Sequence, residues 1–165
     1  MSKYDRYYPT MRTILDSCLR ATAPWMYRVV CDEALVMEAV EDWQKQHPDV
    51  QVFFLQGEHM KTDGGYYSEL THAFSLPDYC GHNLNALFEC LTDNDVLLGT
   101  IFVIVLLNGD QILASDPPQA LEGFLDTLKN AGEEWAIPVN INEPWGRPSI
   151  PFHTIFHQTG EVLEA

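Results

Sequence analysis

No lysine or arginine occurs between Lys61 and Lys129. Ten acids fall in that same span: Asp63, Glu69, Asp78, Glu89, Asp93, Asp95, Asp110, Asp116, Glu122 and Asp126. Over the whole chain 24 acids face 9 bases, a formal net charge of -15. A surface of this sign repels phosphate backbones, so direct nucleic-acid binding is not expected. It attracts a basic partner and speeds the encounter, although solubility alone also explains an acidic surface. Bases are not missing everywhere, because Lys3, Arg6, Arg12, Arg20 and Arg28 gather in the first thirty positions.

Other features are scarce. Cys18, Cys31, Cys80 and Cys90 are scattered without a C-x-x-C pair, which reads as reduced thiols in a cytoplasmic protein, Cys80 and Cys90 acting as small buried hydrophobes. The longest apolar run, "VLLGTIFVIVLL" at 96–107, is broken by Gly99 and Thr100 and is too short to cross a bilayer. The opening "MSKYDRYYPTMR" is polar and charged, so no signal peptide is expected. There is no internal repeat, low-complexity linker, phosphate loop or nucleophile–base spacing. The histidines at 59, 72, 153 and 157 do not have the spacing of a metal site. Neither a cofactor nor a metal is expected. A small hydrolase using Glu89 with a histidine finds no supporting pattern.

What is present describes an α/β protein with a sizeable core. Met11, Ile14, Leu15, Cys18 and Leu19 have helical spacing, with Pro9 just ahead at a helix start and Pro24 beyond the end. "MYRVV" (26–30) reads as a short strand. Asp32 is placed to cap a helix over 33–46 with the stripe Val36, Ala39, Val40 and Trp43. "VQVFFLQG" (50–57) is a strand, "KTDGG" (61–65) a turn, and 66–74 a helix. The run at 99–109 fits a strand buried on both faces. "SDPP" (115–118) offers a side-chain cap and proline for a helix expected to stop near Gly132. The Pro-rich stretch after it reads as irregular, with brief pairing open to Ile137–Ile141 and Trp145 packed over the sheet; 151–158 is a last strand. Alternation of this kind predicts a parallel sheet of three to four strands packed with helices.

The stretch "LPDYCGHNLNALFECLTDND" (76–95) is the most informative. Leu84, Leu87, Phe88 and Leu91 form an apolar stripe on a helix over roughly 83–92. His82, Asn85 and Glu89 then share the opposite face, with Asp93 one turn on. Gly81 permits close backbone approach, and Asn83 is a better cap than His82. Taken alone, Tyr79, Leu84 and Phe88 read as core more than as contact, and Glu89 reads as a solvated helix face.

This stretch resembles the signature of the barstar family in Pro77, Tyr79, Gly81, Asn83, Leu84, Ala86, Leu87, Cys90 and Leu91. The likeness extends over about 50–158, a barstar-like core within a single domain. It leaves 1–49 as an N-terminal extension adding two helices and a strand. The family's members are intracellular inhibitors of ribonucleases that press this loop and helix into the active site, with carboxylates in place of RNA phosphates. The resemblance therefore implies a cytoplasmic inhibitor or immunity protein, not an enzyme, whose partner is a basic ribonuclease. Tyr79, Gly81 and Asn83 match family contact positions, and Phe88 stands at an aromatic one. Glu89 stands where the family's main Asp is usual, Asn85 where a second Asp is usual, and Asp126 loosely matches a further acidic contact. Asn85 removes one anion, and Glu89 sets the other one methylene further out. The expected partner surface is Tyr79, Gly81, His82, Asn83, Asn85, Glu89, Asp93 and Asp126. The departures leave open a different ribonuclease, or a non-inhibitory module on the same fold that binds another basic protein.

Overall fold

The structure is a computed structural model that describes residues 3–80 and 82–160, the first seven of these by backbone alone. The β-branched and aromatic runs become four strands: β1 (Met26–Val30), β2 (Val50–Gln56), β3 (Ile101–Leu107) and β4 (Phe152–Gln158). All neighbours are parallel, in the order β1–β4–β3–β2. Among the described residues five α-helices connect or flank them: α1 (Lys3–Ser17), α2 (Glu33–Gln46), α3 (Asp63–Phe74), α4 (Leu84–Leu91) and α5 (Pro118–Ala136).

Strand β3 explains the layering. Successive side chains point to opposite faces, so Phe102, Ile104 and Leu106 join the core under α3, α4 and α5. Val103, Val105 and Leu107 join a second core under α1 and α2. A continuous apolar sequence is what a strand covered on both sides requires. The chain is thus an α/β protein with helices on both faces of one parallel sheet.

Several boundaries differ from the sequence expectation. Helix α1 starts at Lys3, so Pro9 lies inside it, where its missing N–H leaves one backbone bond unmade. Asp32 is the N-cap residue of α2 but makes no capping hydrogen bond through its side chain. Helix α3 begins at Asp63 and takes in most of the expected turn; a side chain at Gly65 would meet the His59 carbonyl, so this glycine serves close packing. Pro117, with no side-chain cap, precedes α5, and Pro118 fills its first position. Helix α5 runs through Gly132 to Ala136. A Cβ at Gly132 would lie 2.7 Å from the Phe152 carbonyl oxygen, so this glycine lets α5 approach β4 instead of ending the helix.

A polar network ties the first segment to the sheet's carboxyl end. The Asn108 N–H donates to His157 Nδ1 at 3.0 Å, and His157 Nε2 donates to the Cys31 carbonyl at 2.8 Å. Asn108 Nδ2 donates to Glu33 at 3.2 Å and to Gln56 at 3.0 Å, while the Thr159 hydroxyl donates to Asn108 Oδ1. The two buried members, Asn108 and His157, are thereby supplied with partners, as polar groups away from water require.

His153, also on β4, gives a pH dependence. Burial pushes its imidazole below the ordinary 6.5, opposed by the Thr22 carbonyl 3.0 Å from Nε2. The folded state therefore prefers the neutral ring, and the unfolded chain binds more protons in the window below 6.5. The stability this contributes is complete above 6.5 and is lost as pH falls through the folded pKa. Urea midpoints at descending pH should fall in this window, and His153→Gln should flatten that part of the profile.

Candidate interaction face

The loop after α3 is shaped by its own bonds. Ser75 turns the chain in the left-handed region at φ 52°, and the buried Leu76 donates its N–H to the Thr71 carbonyl at 3.1 Å. The Cys80 N–H closes a turn on the Pro77 carbonyl at 3.0 Å. Tyr67, from α3, donates its hydroxyl to the His82 carbonyl at 3.0 Å, and its ring lies 5.7 Å from the His82 imidazole. His82 Nε2 in turn donates to the Asp78 carbonyl at 3.0 Å. The loop is held from beneath while Tyr79 projects, 70% exposed.

Cys80 and Cys90 are joined as a disulfide, with Cα atoms 6.2 Å apart. This corrects the expectation of four reduced thiols; Cys18 and Cys31, both buried, are the two cysteines outside the disulfide. The pairing arises because Cys90 lies on the inward face of α4 and the loop folds Cys80 back onto it. A spacing of ten without a motif carries no signal of that return. Scattered cysteines therefore no longer argue for a reducing compartment.

Asn83 caps α4, its Oδ1 accepting the Ala86 N–H at 2.8 Å. Asn83→Ala should cost about 1 kcal/mol, read in chemical denaturation, because one orphan helix donor loses its acceptor. At the other end, Trp135 Nε1 donates to the Leu91 carbonyl at 2.7 Å, fixing α4 to α5. The inward face of α4 is Leu87, Cys90 and Leu91. Leu84 and Phe88, expected in the core stripe, lie at its margin: Leu84 is exposed and Phe88 half-buried. Leu84 touches α5 at one point, where a Cβ at Gly123 would sit 2.9 Å from its Cδ1, but otherwise it and Phe88 border the open groove between the two helices.

Tyr79, His82, Asn83, Asn85 and Glu89 are exposed together along the loop and the outer side of α4. Asp93 is half-buried and accepts the Asp95 N–H at 2.8 Å, an Asx turn closing the helix. Asp126 is exposed on α5, 3.8 Å from Lys129. Gly81 lies outside the described residues. Between α4 and α5 runs a groove of about 400 Å³. Leu84, Asn85 and Phe88 line one wall, with Thr127, Asn130, Glu133, Glu134 and Ile137 on the other; Asp126 does not line it. Sequence reasoning missed Asn130, Glu133 and Glu134. Placing the end of α5 at Gly132 put the two glutamates in a loop, although positions 126, 130, 133 and 134 have helical spacing.

Among the described residues no helix is long and apolar enough to cross a membrane, and no cluster of three or more His, Cys, Asp or Glu is arranged to hold a metal ion. Fold and face together define a parallel α/β protein that presents one loop and one short helix to solvent. The family model for barstar, described as barnase inhibitor, matches residues 50–156, and the chain belongs to that family. No curated protein matches closely enough to count as a relative.

Proposed function

We propose that this chain is a barstar-type protein inhibitor, or immunity protein, acting on a basic ribonuclease inside the cell. The observation that carries the reading is the joint exposure of Tyr79, Asn83, Asn85 and Glu89 on a loop and helix anchored from below. Such a face inserts as one rigid body, so little ordering entropy is lost on binding. Glu89 supplies the anion that stands in for an RNA phosphate, and Asn85 supplies an amide beside it. His82 and Asn83 shape the loop and present its backbone; Asp93 and Asp126 contribute charge at the margin. No cofactor takes part.

Binding titration against a panel of small basic ribonucleases, at low and at physiological salt, tests the proposal. A submicromolar complex that stops RNA cleavage and associates more slowly as salt rises supports it, because exposed charges steer the encounter. Absence of any such complex counts against it. A second reading is favoured by the neutral Asn85 and the longer Glu89: a non-inhibitory module on the same fold, binding another basic protein. Binding that leaves cleavage intact selects that reading.

A further inference from the structure

The connection from α5 to β4 is the part of the molecule whose construction the α4 face does not account for. Residues 137–147 are tied into a compact unit. Val139 and Arg147 exchange backbone hydrogen bonds at 3.0 and 2.8 Å, and turns close from Glu143 to Asn140 and from Gly146 to Glu143. A side chain at Gly146 would strike the Asn140 carbonyl, so the turn requires glycine. Arg147 lies 4.5 Å over the Trp135 ring and donates to the carbonyls of Glu134, Trp135 and Ile137, which fastens the unit to the end of α5.

This well-braced loop nevertheless turns apolar side chains to water. Trp145 is 66% exposed, Ile141 65% and Ile137 53%. It thereby overturns the expectation that Trp145 packs over the sheet: Trp135 occupies the interior instead. Exposed apolar residues gathered on one ordered loop mark an interaction surface, and Trp is among the residues enriched as anchors of such surfaces. Ile137 also lines the α4–α5 groove, so loop and groove form one continuous surface.

We propose that this loop is a second docking element, which seats an apolar patch of a basic partner protein beside the cationic region met by α4. The inference rests on reading α4 as a face for a basic partner. Charge selects that occupant. Glu133, Glu134 and Glu143 are exposed around the apolar residues. Two copies meeting here would set these carboxylates against each other, and an anionic lipid surface would be repelled by them. A basic protein satisfies both the acidic rim and the apolar centre.

The test uses the full chain, isotope-labelled, titrated with an amphipathic Lys/Leu peptide and with an all-Lys peptide of equal length. The Lys/Leu peptide should shift the Trp145 indole N–H and the amides of 137–147, and bind at least about tenfold more tightly than the all-Lys peptide. The double variant Ile141→Ser/Trp145→Ala should remove that preference without changing the thermal midpoint, since both side chains face water. Equal binding of the two peptides, or shifts away from the loop, overturns the proposal. So does a concentration-dependent dimer, or adsorption to phosphatidylcholine–phosphatidylserine vesicles, that the double variant abolishes. A ribonuclease complex lost in Glu89→Lys but indifferent to Trp145→Ala removes the loop and leaves the inhibitor reading standing. A retained Lys/Leu preference with no ribonuclease bound does the reverse.

Discussion

Glu89→Lys should leave the protein folded and, on the inhibitor reading proposed above, abolish capture of a basic ribonuclease. The side chain is exposed on α4, and surface substitutions of this kind change stability by about 0.5 kcal/mol or less. Binding is different, because reversal removes an anion and sets a cation against a cationic site. Close charge pairs contribute about 1.5–7 kcal/mol in the barnase–barstar complex, the family's reference case and not a value obtained from this molecule. The low end of that range is already about a tenfold loss of affinity. Calorimetric titration of the variant beside the parent reads the effect, and unchanged affinity would show that Glu89 is an ordinary solvated residue. Asn85→Asp is the reciprocal experiment. It restores an anion in the groove wall and should strengthen binding to a ribonuclease with a cation opposite, whereas no gain would place that cation elsewhere.

The largest stability loss should come from Trp135→Ala. Trp135 is fully buried, packs against Phe102 with ring centres 5.2 Å apart and planes tilted, lies under Arg147, and holds the Leu91 carbonyl. Removing a buried Trp costs about 3–5 kcal/mol through lost burial and the cavity left behind. One helix-end carbonyl also loses its donor. Because Trp135 joins α5 to α4, the damage should reach the interaction face: guanidinium unfolding should shift to lower midpoint, and α4 amides should lose hydrogen-exchange protection. A loss under about 1 kcal/mol would contradict the packing described. The contrast with Trp145, on the same stretch of chain but in solvent, makes the pair informative.

The elements legible in the sequence share a cause. The helix over 33–46 and the strands at 26–30 and 50–57 carry local patterns of spacing or residue type, and the run near 99–109 is continuously apolar because both its faces are covered. Asn83 as the cap of α4 was legible for the same reason, since capping spans only three residues. Boundaries set by distant neighbours were not. Gly132 looked like a helix stop, but it is a contact with Phe152 on β4. Leu84 looked like core, but the path of α5 leaves it at a groove margin. Trp145 and Trp135 are indistinguishable as residue types, yet one lies in solvent and the other at the centre of the core.

The order of residues alone determined the charge asymmetry, the parallel α/β class and the motif by which the barstar family is recognised, because composition and short-range spacing need no third dimension. Tertiary structure decided that Cys80 meets Cys90, that Glu133 and Glu134 stand across a groove from Asn85, and that an ordered loop offers Trp145 to solvent. Each of these depends on where a segment returns after a turn or a crossover. That return is governed by packing between elements far apart in the chain, which local periodicity does not encode.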